Sequence, residues 1–153
     1  MQKSAEWIQV YYEVQGPISK LKIVEPNPDP FYREGIWEST CCELFISIPP
    51  SQGYKEWNIS PSGDWFSMHF SGYRTRQANY KDLSPPLSTN WRREGDKLSC
   101  SLKVKIPVSQ EPLHLSICTI LEDLQGEKSY WSLTHTQPNP DFHDLGSFSL
   151  FWS

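Results

Sequence analysis

The chain has no surplus of positive charge: 14 Lys and Arg stand against 18 Asp and Glu in 153 residues, a net of −4. Without a basic excess there is no electrostatic footprint for nucleic acid and no basic segment for an anionic membrane surface. Long apolar runs are missing too. No stretch approaches the roughly 18 apolar residues of a membrane span, and the opening MQKSAEWIQV lacks the apolar segment of a secretory leader. The chain therefore reads as cytoplasmic. Only four cysteines occur, Cys41, Cys42, Cys100 and Cys118, and none shows a C-x-x-C metal spacing. All lie in strand-like runs, where Cys41 and Cys42 point to opposite faces, so buried free thiols are expected. There is no G-x-S-x-G elbow, P-loop or G-x-G-x-x-G, which removes the usual signatures of serine nucleophiles and nucleotide cradles.

Helical periodicity is also absent: no run of ten or more residues carries an apolar stripe at helical spacing. What the chain has instead is aromatic rings (14%, including 7 Trp), 13 Pro, and short stretches of alternating polarity. That combination predicts one all-β domain over residues 1–153, an antiparallel β-sandwich with stiff connections. Residues 7–14 alternate with Ile8, Val10, Tyr12 and Val14 on one face, and residues 21–24 are expected to return as the second strand of a hairpin. Residues 25–35 form a Pro-punctuated loop. Residues 41–48 are a strand stopped by Pro49-Pro50. Residues 54–60 and 65–70 form a hairpin around SPSGD. Residues 72–93 read as a long irregular excursion. Strands are expected at 98–106, 113–121, 130–135 and 148–152.

The chemistry-bearing residues collect in GIWESTCCELFI and YKEWNISPSGDWFSMHFSGYR, within residues 35–74. Glu43 lies on the opposite face of its strand from Leu44 and Ile46. Glu56 and Asn58 share a face with Tyr54, opposite Trp57 and Ile59. If the two strands are neighbours, these carboxyls and the amide converge on one sheet surface, with the donors and acceptors needed to read hydroxyl groups. Trp37 and Trp131 offer flat rings for stacking, and Arg74 a planar donor fork. A late cluster, YWSLTHTQPNPDFHD, sets His135, Asp141 and His143 around two prolines as a stiff rim. These three match no metal-ligand spacing. Alternation groups Met68 with Phe66 and Phe70 as core. Glu43 and Glu56 are also the candidate pair for a glycosidase, which needs its carboxyls about 5 to 9 Å apart.

Taken together, these three motifs resemble the DOMON-like domains related to family 9 carbohydrate-binding modules, over nearly the whole chain. The resemblance implies a β-sandwich of jelly-roll type with a pocket on one sheet for a sugar or for haem. In the sugar-binding relatives the ligand lies between two tryptophans and bonds to an acid, an arginine and an asparagine. Trp37 and Glu43 match that tryptophan-to-acid arrangement; Trp131 would be the second wall, and Arg74 and Asn58 the further partners. The haem-binding relatives use an axial Met and His, for which Met68 and His143 are the nominees. The leading expectation is a non-catalytic domain that takes a small carbohydrate-like ligand, with no cofactor. A haem-binding electron-transfer module and a glycoside-active enzyme using Glu43 and Glu56 are the alternatives.

Overall fold

The structure, a computed structural model, describes residues 6–153. Two antiparallel sheets face each other as a β-sandwich. The smaller has three strands: β1 (Trp7–Gln15) and β6 (Ser88–Glu94) flank β7 (Lys97–Lys105). The larger is built around β2 (Cys41–Ser47), β3 (Tyr54–Ile59) and β4 (Trp65–Gly72), with the two-residue β5 (Thr75–Arg76) at one edge. On the other side β2 pairs with β8 (Leu113–Glu122). The far edge of β8 takes β10 (Leu150–Trp152) along its first half and β9 (Lys128–Ser132) along its second.

Alternation explains the sandwich. Ile8, Val10 and Tyr12 of β1 and Cys100, Leu102 and Val104 of β7 meet Cys42, Leu44 and Ile46 of β2, Trp57 and Ile59 of β3, and Leu113 and Leu115 of β8. Leu44, Leu102 and Val104 are wholly buried, each worth about 2 kcal/mol of apolar transfer. The Tyr12 hydroxyl reaches across to donate to the Glu43 carbonyl at 2.7 Å, so its polar end is satisfied inside the core.

The larger sheet is covered on its second face as well. Every residue of β2 is buried. Cys41, Phe45, Tyr54, Phe70, Cys118 and Ile120 form a second apolar cluster with Phe142 and Phe148, which come from the segment between β9 and β10. A short turn of 3-10 helix, Ile36–Glu38, brings Trp37 over the same face, edge-on to Phe66 at 4.9 Å. The loop that leads there is anchored by buried Asp64, which accepts from Asn27 Nδ2 and the Phe31 backbone N–H (both 3.1 Å) and lies 3.5 Å from Arg33 Nε. All four cysteines are free and buried, with Cys41 and Cys42 on opposite faces of β2.

Three sequence expectations are corrected. Residues 21–24 form no returning strand: Ile18–Lys20 is a 3-10 turn, Leu21 makes a single bridge to Asp123, and β1 pairs with the distant β7. The stretch 72–93 is not irregular throughout, because β5 and most of β6 lie within it. The STNWRRE sequence of β6 hides a mostly exposed edge strand that needs little apolar surface. The strand expected at 130–135 begins at Lys128 and ends at Ser132, so His135 lies beyond it in the covering loop.

Candidate functional site

A cavity of about 370 Å³ opens on the outer face of the larger sheet. Strand register dictates what lines it. β2 and β3 pair with Glu43 opposite Asn58 and Phe45 opposite Glu56, so both carboxyls and the amide point outward on adjacent strands. β3 pairs with β4 to set Glu56 opposite Met68 and Asn58 opposite Phe66. β8 pairs with β9 to set Ile120 opposite Tyr130. The carboxyls of Glu43 and Glu56 form the floor; Phe66, Phe70, Ile120 and Tyr130 continue it along the neighbouring strands. Trp37 stands on one side, and Pro140, Phe142 and His143 of the covering loop on another. Arg74 and Arg76, from the β4–β5 hairpin, complete the wall.

The floor is unusually polar for its burial. Glu43 is 3% exposed and Glu56 5%, and Asn58 is fully enclosed. Asn58 Nδ2 donates to Glu56 Oε1 at 2.6 Å, while Asn58 Oδ1 is buried without a hydrogen-bond partner. Glu43 Oε1 is approached by the Cys41 thiol at 3.7 Å, a weak donor. Desolvation, then repulsion from Glu56, pushes the Glu43 carboxyl well above the usual carboxylate range. Desolvation also lifts Glu56 to about 7, opposed by the Asn58 hydrogen bond and by Arg76 and Arg74.

His143 connects floor to rim. The Arg74 backbone N–H donates to the Tyr54 hydroxyl at 3.1 Å, and that hydroxyl lies 2.7 Å from His143 Nδ1. If the tyrosine donates to Nδ1, the ring proton sits on Nε2, 3.9 Å from Glu56 Oε2. Desolvation, reinforced by Arg74, lowers the His143 pKa to about 4, so the imidazole is neutral at physiological pH. Burial likewise raises Tyr54 to about 12, and it remains a phenol. Asp141 holds the loop in place: it accepts from Arg74 Nη2 at 2.8 Å, from the His143 backbone N–H at 3.1 Å and from the Tyr73 hydroxyl. Arg74 sits at φ +49, in the left-handed region, as the second residue of the turn that joins β4 to β5.

Trp37, Glu43, Glu56, Arg74 and His143, all expected from sequence, are thus brought together. Asn58 lies beneath the floor and Asp141 behind the Arg74 wall. Two expected residues are elsewhere. Trp131 is opposite Thr119, one residue out of phase with Tyr130, and lines a separate cleft with Leu121 and Pro17. His135 is exposed and stacks on the outside of Phe142 at 6.1 Å. Phe66 and Phe70, expected as plain core, are buried but face the cavity. Their pairing with Asn58 and Tyr54 was the signal, because hairpin partners share a face. Tyr130, Arg76 and Phe142 carried no comparable mark.

The haem alternative finds no support in this arrangement. Met68 shares the outer face with Phe66 and Phe70 but does not line the cavity, and both nitrogens of His143 face protein groups, Tyr54 and Glu56. Among the described residues no three His, Cys, Asp or Glu side chains gather as a metal site, and no helix is long and apolar enough to cross a membrane.

The fold and the cavity define an antiparallel β-sandwich with a ligand-sized pocket on one sheet. No family profile matches the chain, and no curated protein matches it in sequence. Among solved structures, it is similar to a candidate carbohydrate-binding protein from Bacteroides uniformis ATCC 8492, with a TM-score of 0.68 and 14% identity over 97% of this chain and 72% of that one. At that identity the likeness establishes a shared fold.

Proposed function

We propose that the chain is a single non-catalytic domain of the DOMON-like group related to family 9 carbohydrate-binding modules, and that it binds a carbohydrate in the outer-face cavity. One observation carries this reading: the cavity combines aromatic rings with a buried floor of Glu43 and Glu56, backed by Asn58. A pyranose presents flat C–H faces and a ring of hydroxyls, and it needs both kinds of surface at once. Trp37 and Tyr130 supply rings for stacking. Glu43 and Glu56 accept or donate to hydroxyls according to their protonation, and Arg74 and Arg76 donate from the wall. His143, with Tyr54 and Asp141 behind it, keeps the covering loop at the correct height. The fold shared with a candidate carbohydrate-binding protein supports the same reading.

Binding is favoured over glycoside cleavage by the fold shared with a candidate carbohydrate-binding protein. Calorimetric titration with a panel of neutral mono- and disaccharides tests the proposal. Saturable binding that is weakened by Trp37→Ala is the expected result. No heat from any sugar at millimolar concentration, or turnover of a glycoside that is lost in Glu43→Gln, would overturn it.

A further inference from the structure

Within the floor, hydrogen-bond acceptors outnumber the donors that reach them. The outward-facing carboxyl of Glu43 meets only a thiol at 3.7 Å. Directly across from it, Asn58 uses its NH₂ on Glu56, and its Oδ1 is fully buried with no partner. Glu56 Oε2 has His143 Nε2 at 3.9 Å, too long for a hydrogen bond. Leaving Asn58 Oδ1 without a donor costs about 1–3 kcal/mol, so the floor is incomplete as it stands.

The nearby cations do not answer this need. Arg74 is engaged by Asp141 at 2.8 Å, and Arg76 by Glu34. Both guanidiniums are about half exposed and turned to carboxylates of the rim. His143, the other ionisable group facing Glu56, has its Nδ1 engaged by the Tyr54 hydroxyl. The charged groups facing the cavity are therefore two acids from β2 and β3 without a bonded cation, two arginines with their own counter-ions, and an uncharged imidazole. What is left over is a pair of acids with no counter-ion of their own.

We propose that the floor recognises the ammonium group of an amino sugar, seated between Glu43 and Glu56. This rests on the carbohydrate reading and names the ligand's distinguishing group. An ammonium brings three donors and a full positive charge, whereas a hydroxyl brings one donor and none. The rings of Trp37 and Tyr130 around the floor favour a cation further, while Phe66 already lies under the Arg76 guanidinium. Because burial holds both carboxyls toward their protonated forms, a bound ammonium draws protons off them, and binding is accompanied by proton release.

Calorimetry at neutral pH with glucosamine, galactosamine and mannosamine, each beside its parent hexose and its N-acetyl derivative, tests the proposal. At least one amine is expected to bind about tenfold or more tightly than its parent, equivalent to about 1.4 kcal/mol. The same titration in two buffers of different ionisation enthalpy is expected to show proton release for the amine and none for the N-acetyl sugar. Glu43→Gln is expected to bring amine and parent within about twofold, since the amide keeps the shape and a hydrogen bond but not the charge. If a parent or N-acetyl sugar binds and its amine binds no tighter, the ammonium proposal is wrong and the carbohydrate reading stands. If no member of the panel binds, both fall.

Discussion

Glu56→Gln is expected to stabilise the protein in mild alkali and to leave it unchanged in mild acid. Glu56 is held at about 7 in the folded state against an ordinary value of 4.5, chiefly by desolvation. The folded protein therefore binds a proton that the unfolded chain has already lost between about pH 4.5 and 7, so stability falls as pH rises through that window. At roughly 1.36 kcal/mol per unit, a gap of about 2.5 units costs about 3 kcal/mol once both states are ionised, from about pH 8 upward. Gln keeps the shape and still accepts from Asn58, but carries no charge to bury. The difference between variant and wild type should grow from near zero at pH 4.5 to about 3 kcal/mol at pH 8, or roughly 6–12 °C in Tm for a chain of this size.

The wild-type profile alone would conceal this. His143 is depressed from 6.5 to about 4, so its unfolded form takes up a proton that the folded form refuses, and stability is lost as pH falls from about 6.5 to 4. The two slopes have opposite sign over nearly the same range and offset each other. Urea unfolding of wild type and Glu56→Gln at pH 4.5, 6 and 8 isolates the Glu56 contribution as the difference between the curves. An equal difference at all three pH values, or a variant less stable at pH 8, would refute the claim that Glu56 is a desolvated acid.

Trp37→Ala is expected to weaken sugar binding about tenfold through lost stacking, measured by calorimetry. Trp131→Ala, on the opposite face of the sheet, should leave that affinity within about twofold. Asp64→Ala removes the acceptor for Asn27 and Phe31 and the partner of Arg33. It should cost about 3 kcal/mol in urea unfolding, through groups left without a partner. Asp141→Ala frees Arg74 and the His143 backbone N–H. Faster amide exchange over residues 138–144 is the expected readout.

The strands whose apolar faces enter the inter-sheet core were legible in the sequence, because period-2 alternation is strong where one face is buried. β6 was not, since an exposed edge strand of polar and charged residues carries little alternation. The partner of β1 was missed for a different reason: pairing across some 90 residues leaves no local turn signal of the kind that joins β3 to β4. At the site, parity decided the outcome. Glu43, Glu56 and Asn58 were placed by their phase against Leu44 and Trp57. Trp131 was nominated as the second wall from the resemblance, without a phase for its strand, and register gives that place to Tyr130. Phe66 and Phe70 are buried core as read, but that they also border the cavity was not legible, because an aromatic run looks the same in sequence whether it faces a sealed core or a lined cavity.

Chemical-shift mapping by NMR tests the central claim most directly. Titration with the tightest-binding sugar of the panel should shift resonances of Trp37, Glu43, Glu56, Arg74, Tyr130 and His143 together, with saturation, and leave those of Trp131 and the outer face of β1 still. Shifts centred on the Trp131 cleft, or none at a saturating concentration, would contradict the assignment of the outer-face cavity as a carbohydrate site.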